Sequence, residues 1–201
     1  TIALQGKRHE ELQKKLEGLK GISGIEKLEI GHYAEKYLVR ITQPVDHKNP
    51  AAGTFTQRVI VAHVGFDARP YWSRKDMVRR MLEPRYQEEL SKLLDANMVF
   101  VEYRYFGESM PKPAIGIISR LKFMYDLHHV TTTLKQLYDQ KWIATGISKG
   151  GQTTMFYRTY FPDDVDISVP YASPLNKSLE DGRHEPFIAN KVSTPENPET
   201  S

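Results

Sequence analysis

One stretch, Trp142 to Thr154, constrains the fold more than any other part of the chain. An apolar segment leads directly into a Gly-x-Ser-x-Gly motif, and a segment with helical character follows. This order is that of a nucleophile elbow, in which a serine occupies a strained turn between a strand and a helix. Ser148 is therefore the candidate nucleophile, and the backbone N–H of Lys149 is the candidate oxyanion donor. The alternative is a glycine-rich turn with an incidental serine.

Three glycines, Gly146, Gly150 and Gly151, flank the candidate nucleophile. A strand and a helix joined by so tight a turn pass close to each other, so the neighbouring positions must be small. The glycines favour the elbow over an ordinary loop.

Strand-like and helix-like segments alternate from about residue 83 to residue 170. The predicted elements are helices over 83–95, 120–139 and 149–161 and strands over 98–103, 141–147 and 166–170. This alternation is typical of an α/β fold with a doubly wound, mostly parallel sheet. Two extended segments before it, within 25–43 and 55–66, predict antiparallel strands.

The chain divides into three parts by its patterns. Residues 1–24 are predicted to form an N-terminal helical segment, in which leucines at helical spacing indicate a surface helix packed on one face. Residues 25–190 are predicted to form a partial α/β catalytic domain. Residues 191–201 contain two prolines and no apolar periodicity, which predicts a frayed tail.

Composition excludes several classes of partner. The 201 residues include 28 Lys and Arg against 25 Asp and Glu, and the two signs are interspersed, so no nucleic-acid partner is predicted. Even the basic, aromatic stretch 68–82 is interpreted as a solvated loop or helix face. No apolar run is long enough to span a membrane, so no membrane partner is predicted. The absence of cysteine excludes disulfides and thiolate metal ligands.

The adjacent pair His128 and His129 is the one pattern that suggests a metal site. Neighbouring side chains on a helix point in different directions, so the two histidines are not placed to share one ion. We interpret them as packed or capped side chains, and we expect neither a metal nor a cofactor.

Two longer motifs carry a family resemblance. They are Glu-Tyr-Arg-Tyr-Phe-Gly-Glu-Ser over 102–109 and Gly-Ile-Ser-Lys-Gly-Gly-Gln-Thr over 146–153. With shorter stretches over 57–67, 161–166 and 169–176, they resemble the bacterial secreted tripeptidyl aminopeptidases, which are serine peptidases of the α/β-hydrolase fold. The resemblance covers most of residues 30–190. It implies the N-terminal part of an α/β-hydrolase domain, a peptide substrate cleaved near a free N-terminus to release short peptides, and a secreted or periplasmic location.

The resemblance also implies that the catalytic acid and base follow the nucleophile along the chain. His184 is the only histidine after Ser148, and it comes only one predicted strand after the elbow. The base of such enzymes follows the last strands. We therefore expect the acid and base to lie in a C-terminal part of a longer parent protein, which would be the partner of this chain. This chain alone is then expected to be inactive.

Two further features of the site are open at this stage. Glu102 or Glu108 is a candidate for pairing with the free amino group of a peptide, and for Glu102 the alternative is a salt bridge to an arginine such as Arg104 or a neighbour. Residues 68–80 do not resemble the strand and glycine-aromatic loop that supply the second oxyanion donor in the family, and residues 112–120 also depart from its pattern.

Two other functions remain open. One is an esterase or lipase on the same fold, which would hydrolyse short acyl esters without needing a free N-terminus. The other is an inert hydrolase-like binding module, which the missing acid and base favour. A sheet cut short should also expose the edge where later strands would pair, so we expect self-association of the isolated chain.

Overall fold

The computed structural model describes residues 11–73, 82–84, 86–112, 120–176, 182–187 and 190. The elements in these ranges include the alternating strands and helices predicted above. In chain order they are α1 (Glu11–Glu17), β1 (Ile22–Lys27), β2 (Glu35–Pro44), a 3-10 turn (Pro50–Ala52), β3 (Thr54–His63), β4 (Pro70–Ser73), α2 (Glu89–Leu94), β5 (Asn97–Val101), α3 (Arg120–Leu134), β6 (Ile143–Ile147), α4 (Lys149–Tyr160), β7 (Ile167–Tyr171) and α5 (His184–Phe187).

One sheet of seven strands runs through the described part of the chain, in the spatial order β1-β2-β3-β5-β4-β6-β7. The first three strands form an antiparallel meander, and β3 also pairs antiparallel with β5. From β5 onward, all neighbours are parallel. Parallel neighbours need crossover connections, and α2, α3 and α4 lie in those connections. The predicted α/β fold with an antiparallel opening is confirmed.

Both faces of the sheet are covered, because successive side chains of a strand point to opposite sides. In β3, Val59 and Val61 belong to the core on one face, which also contains residues of α1, α3 and α4. Ile60 belongs to the core on the other face, against which Leu90 of α2 packs. Helices on both faces make the sheet doubly wound. The candidate site lies at the carboxyl edge of its parallel strands.

The described part of the N-terminal helix has the predicted character. Leu12 and Leu16 of α1 are fully buried, whereas Lys15 and Glu17 on the same helix are exposed. Burial of one face stabilises the described part of the helix, since most helical stability in proteins comes from packing of an apolar face. Residues 1–10 and 191–201 lie outside the described ranges, so the predicted frayed tail stays a prediction.

The stretch 68–82 is where the sequence-based prediction was wrong. Pro70–Ser73 is a strand in the middle of the sheet, between β5 and β6, and all four residues are buried. Tyr71 and Trp72 fill the space that a solvated loop would have left open, and they face opposite cores. Of the remainder, residues 74–81 lie outside the described ranges.

Within the ranges that the structure describes, none of the helices is both long enough and apolar enough to cross a membrane. At one edge of the sheet, β7 pairs with β6 and with no other described strand, and the side chain of Ile167 is 45% exposed. An edge of this kind offers free backbone groups to another strand. Self-association of the isolated chain therefore stays a prediction.

Candidate active site

The serine of the motif lies where β6 ends and α4 begins, as an elbow requires. Its backbone has φ 55° and ψ −116°. A non-glycine residue pays a conformational cost of about 1–3 kcal/mol in such a region, and surrounding structure must enforce it. The Ser148 N–H donates to the carbonyl of Tyr171 at 2.9 Å, and its carbonyl accepts from the N–H of Gln152 at 2.9 Å. The turn is thus held on both sides of the serine.

The flanking glycines are required by space. A Cβ at Gly146 would lie 2.5 Å from the carbonyl carbon of Gly150, and a Cβ at Gly151 would lie 2.8 Å from the carbonyl oxygen of Tyr171. Both obstacles are backbone atoms, which have no side-chain freedom to move away. Gly150 is buried and forms the surface that Gly146 faces. The close approach of strand and helix that the sequence implied is present.

The N-terminus of α4 offers N–H groups to the site. Lys149 is the first residue of the helix, and the first turn of any helix has N–H groups without intrahelical acceptors. The positive end of the helix dipole adds to their attraction for an oxyanion. The Lys149 side chain points to an aromatic wall, with Nζ 4.8 Å from the ring centre of Tyr103. The backbone of Lys149 therefore belongs to the elbow, whereas its side chain lies against the aromatic wall.

The strand missed in the sequence, β4, ends beside the elbow. Trp72 of β4 is paired with Ala144 of β6, and the two strands are parallel. Their carboxyl ends consequently lie at the same edge of the sheet, where ligands bind in α/β folds. Ser73 lines a cavity of about 90 Å³ together with Gly146 and Tyr171. The aromatic pair Tyr71-Trp72 was the available signal for this strand, since aromatic residues are enriched in strands.

The loop after β5 is fixed by a buried ion pair. The guanidinium of Arg58 donates to both carboxylate oxygens of Glu102, from Nε at 2.9 Å and from Nη2 at 2.6 Å. The Ser109 hydroxyl also donates to Glu102, at 2.6 Å. The side chain of Glu102 is only 3% exposed. Its buried negative charge is compensated by the guanidinium of Arg58. The sequence predicted a salt bridge from Glu102 to an arginine such as Arg104 or a neighbour, and in the structure the partner is Arg58. Arg58 lies in the stretch 57–67 that carries part of the family resemblance.

The second carboxylate of this loop is placed differently. Glu108 accepts a hydrogen bond from Nη1 of Arg58 at 2.9 Å, yet its side chain is 67% exposed. Arg104 instead pairs with the buried Asp126 and donates to the carbonyls of Pro44 and Val45. Of the two candidate glutamates, Glu108 is the one whose carboxylate reaches solvent.

The structure brings no base to Ser148 in the part of the chain it describes. His184 begins the short helix α5, and none of the hydrogen bonds between described residues joins its side chain to Ser148. Its assignment as the base stays a prediction without geometric support. His128 and His129 have separate partners, with Nδ1 of His128 2.7 Å from Oδ2 of Asp164 and Nδ1 of His129 2.9 Å from Oε1 of Gln43.

These contacts agree with the interpretation of the two histidines as packed side chains. The described residues contain no group of three or more His, Cys, Asp or Glu arranged to hold a metal ion.

A strained serine elbow at the carboxyl edge of this mixed sheet defines an α/β hydrolase. A solved thioesterase domain from the curacin biosynthetic pathway shares the fold, with a TM-score of 0.50 and 11% identity over 75% of this chain and 50% of that one. The model of the PS-10 peptidase S37 family matches residues 7–199, and the chain belongs to that family. The family resemblance inferred from the sequence is confirmed.

Two curated relatives agree with this placement. The chain is 36% identical over 160 residues to a prolyl tri/tetrapeptidyl aminopeptidase of Streptomyces mobaraensis, covering 77% of this chain and 33% of the relative. It is 27% identical over 168 residues to a lysosomal Pro-X carboxypeptidase of Mus musculus, covering 71% of this chain and 33% of the relative. The chain thus spans about a third of the length of the curated relatives it matches.

Proposed function

We propose that the protein is a serine aminopeptidase, in which Ser148 attacks a peptide bond near a free N-terminus and releases a short peptide, commonly a tripeptide. The observation that carries this proposal is the strained backbone of Ser148, held between β6 and α4. Strain of this kind is maintained at functional sites because it fixes the direction of a reacting group. The similarity to an aminopeptidase supports the substrate class.

The proposed reaction is nucleophilic acyl transfer. The Ser148 oxygen attacks the scissile carbonyl while a histidine takes its proton and a carboxylate orients that histidine. The leaving amine then takes the proton from the histidine, and water releases the acyl group by the same steps. We place the histidine and the carboxylate in a C-terminal part of the parent protein, with His184 as the alternative base.

Two groups would assist Ser148. The N–H of Lys149 would donate to the oxyanion of the tetrahedral intermediate, and removal of one such donor typically costs about 100- to 1,000-fold in rate. Glu108 would receive the free amino group of the peptide, because its carboxylate reaches solvent and Arg58 holds it from behind. Glu102 is the weaker choice for that role, since two hydrogen bonds from Arg58 already match its charge. A secreted or periplasmic location is part of the same proposal.

A fluorophosphonate probe tests the nucleophile directly. The purified chain and the longer parent are treated with the probe, and the intact mass is read, with Ser148→Ala as the control. Labelling of the chain that is lost in the variant supports an activated serine with a base in this chain. Labelling of the parent alone supports a base in the C-terminal part. If neither is labelled, Ser148 is not activated and the inert binding module replaces the peptidase.

The substrate class is tested with reporters on whichever form is labelled. A tripeptide-linked reporter with a free N-terminus should be cleaved, and acetylation of that N-terminus should abolish cleavage. Cleavage of short acyl esters without cleavage of the tripeptide would support the esterase instead.

A further inference from the structure

A cavity of about 210 Å³ lies beside the elbow, between the loop after β5, helix α3 and helix α4. Its apolar lining includes Tyr103, Phe106, Phe123, Met124 and Phe156. A dry cavity of about 150 Å³ in another protein accommodates benzene, so this one has room for a single aromatic ring. Aromatic walls also offer an incoming ring stacked and edge-to-face contacts.

The floor of this aromatic pocket is preformed. The ring of Tyr103 stacks on that of Phe123 with centres 4.2 Å apart, and the Tyr103 hydroxyl is hydrogen-bonded to Thr153 at 2.8 Å. Tyr103, Phe123 and Met124 are 7%, 6% and 3% exposed. Side chains packed in this way lose little further freedom when a ligand binds, which favours affinity.

The mouth of the pocket carries a positive charge. The ammonium of Lys149 lies 4.8 Å from the ring centre of Tyr103 and 5.1 Å from that of Phe106, within the range of a cation–π contact. Arg104 also lines the pocket, but its charge is matched by Asp126. None of the lining residues that the structure describes has a carboxylate. A cationic side chain entering here would meet a like charge and, among the described lining residues, no carboxylate as counter-ion.

We infer that this aromatic pocket binds an uncharged aromatic side chain of the peptide substrate, and that the Lys149 side chain at its mouth excludes lysine and arginine. The inference rests on the proposed function, because the ligand is taken to be a peptide that Ser148 cleaves. Lys149 directly follows this proposed nucleophile. One residue would then stabilise the oxyanion through its backbone and select the substrate through its side chain.

Binding of N-acetyl-L-phenylalaninamide to the full chain tests the pocket without requiring turnover. The methyl signal of Met124 in an NMR titration reports occupancy at the floor. We expect that signal to shift with the phenylalanine amide, and N-acetyl-L-lysinamide to bind about tenfold more weakly because its ammonium is repelled by that of Lys149. An unmoved Met124 signal, or equal affinity for the two amides, would overturn the inference.

The variant Lys149→Met isolates the charge, since it keeps a flexible unbranched side chain at an exposed position. It should bring the two affinities within about threefold of each other. The matched control is Lys92→Met on the exposed side of α2, which should leave the preference unchanged. A preference that survives in Lys149→Met contradicts the role given to Lys149. Failure of fluorophosphonate labelling would instead concern Ser148, so the two proposals fail separately.

Discussion

Arg58 of β3 and Glu102 at the end of β5 form a two-point ion pair, with nitrogen–oxygen distances of 2.9 and 2.6 Å. Paired donors of this kind fix orientation as well as distance. Gly107 packs against the pair so closely that a Cβ there would lie 2.3 Å from Oε1 of Glu102. The loop after β5, which lines the aromatic pocket, is therefore held in position by β3. That strand is not part of the elbow between β6 and α4.

Removal of this arginine should destabilise the fold. Arg58→Met leaves the carboxylate of Glu102 buried without its cation, and breaking a buried pair costs about 3–5 kcal/mol. Urea denaturation measures the loss. Arg40→Met is the matched control because Arg40 pairs with Glu26 at 3.2 Å on the surface, where such pairs contribute about 0–1 kcal/mol. Equal losses in the two variants would show that the Glu102 charge is compensated in another way.

Gly146 should not tolerate even one added carbon. In Gly146→Ala the new Cβ meets the backbone of Gly150, and we expect a loss of about 1–3 kcal/mol in the free energy of unfolding. The control is Gly65→Ala, because a Cβ at Gly65 has no atom within 4 Å. Denaturant midpoints of the two variants give the comparison, and similar midpoints would contradict the close approach of β6 and α4.

The strain at Ser148 predicts an order of stability among its variants. Ser148→Gly and Ser148→Ala both remove the hydroxyl, but only glycine adopts a positive φ without steric cost. Ser148→Gly should therefore be more stable than Ser148→Ala by about 1 kcal/mol, after the entropy cost of glycine is subtracted from the strain. Thermal or urea unfolding of the two variants measures this difference in stability. An alanine variant at least as stable as the glycine variant would mean that φ 55° carries no strain here.

Stability should fall in mild acid because of His63. Burial lowers the pKa of His63 to about 4, whereas an unfolded chain has a histidine pKa near about 6.5. The unfolded state binds a proton between those values and the folded state does not, so the free energy of unfolding decreases as pH falls from about 6.5 to about 4.

Comparison of variants isolates the contribution of this histidine. Nδ1 of His63 is hydrogen-bonded to Tyr138 at 2.9 Å, and the ring of Phe66 lies against it. His63→Gln keeps a hydrogen-bonding side chain that does not titrate, and the difference from the wild type across this window should approach about 3 kcal/mol. The exposed His32→Gln is the control and should keep the wild-type slope. A His63→Gln protein with that same slope would assign the acid sensitivity elsewhere.

The sequence predicted those elements whose structure depends mainly on residues close together in the chain. The elbow was predictable because its glycines, serine and flanking periodicities lie within thirteen consecutive positions, from Trp142 to Thr154. The apolar run of β5 was predictable because a strand buried on both faces has few polar residues. The helix expected over 120–139 ends at Leu134, since helix ends depend on packing more than on spacing.

What was missed depends on partners that are distant in the chain. β4 has only four residues and begins with Pro70, and it becomes a central strand because β5 and β6 pair with it on either side. Arg58 and Glu102 are separated by 44 positions, and a charge in a sequence does not name its partner. Glu102 pairs with Arg58 and not with Arg104, because the guanidinium of Arg104 is already paired with Asp126.

The elbow is completed by residues that follow it. The Tyr171 carbonyl receives the N–H of Ser148 and packs against Gly151, so the turn needs β7 in place beside β6. During synthesis the serine leaves the ribosome before β7 does, and chains begin to fold from their N-terminal parts. We therefore expect Ser148 to acquire its strained backbone geometry only once the following helix and strand have been translated.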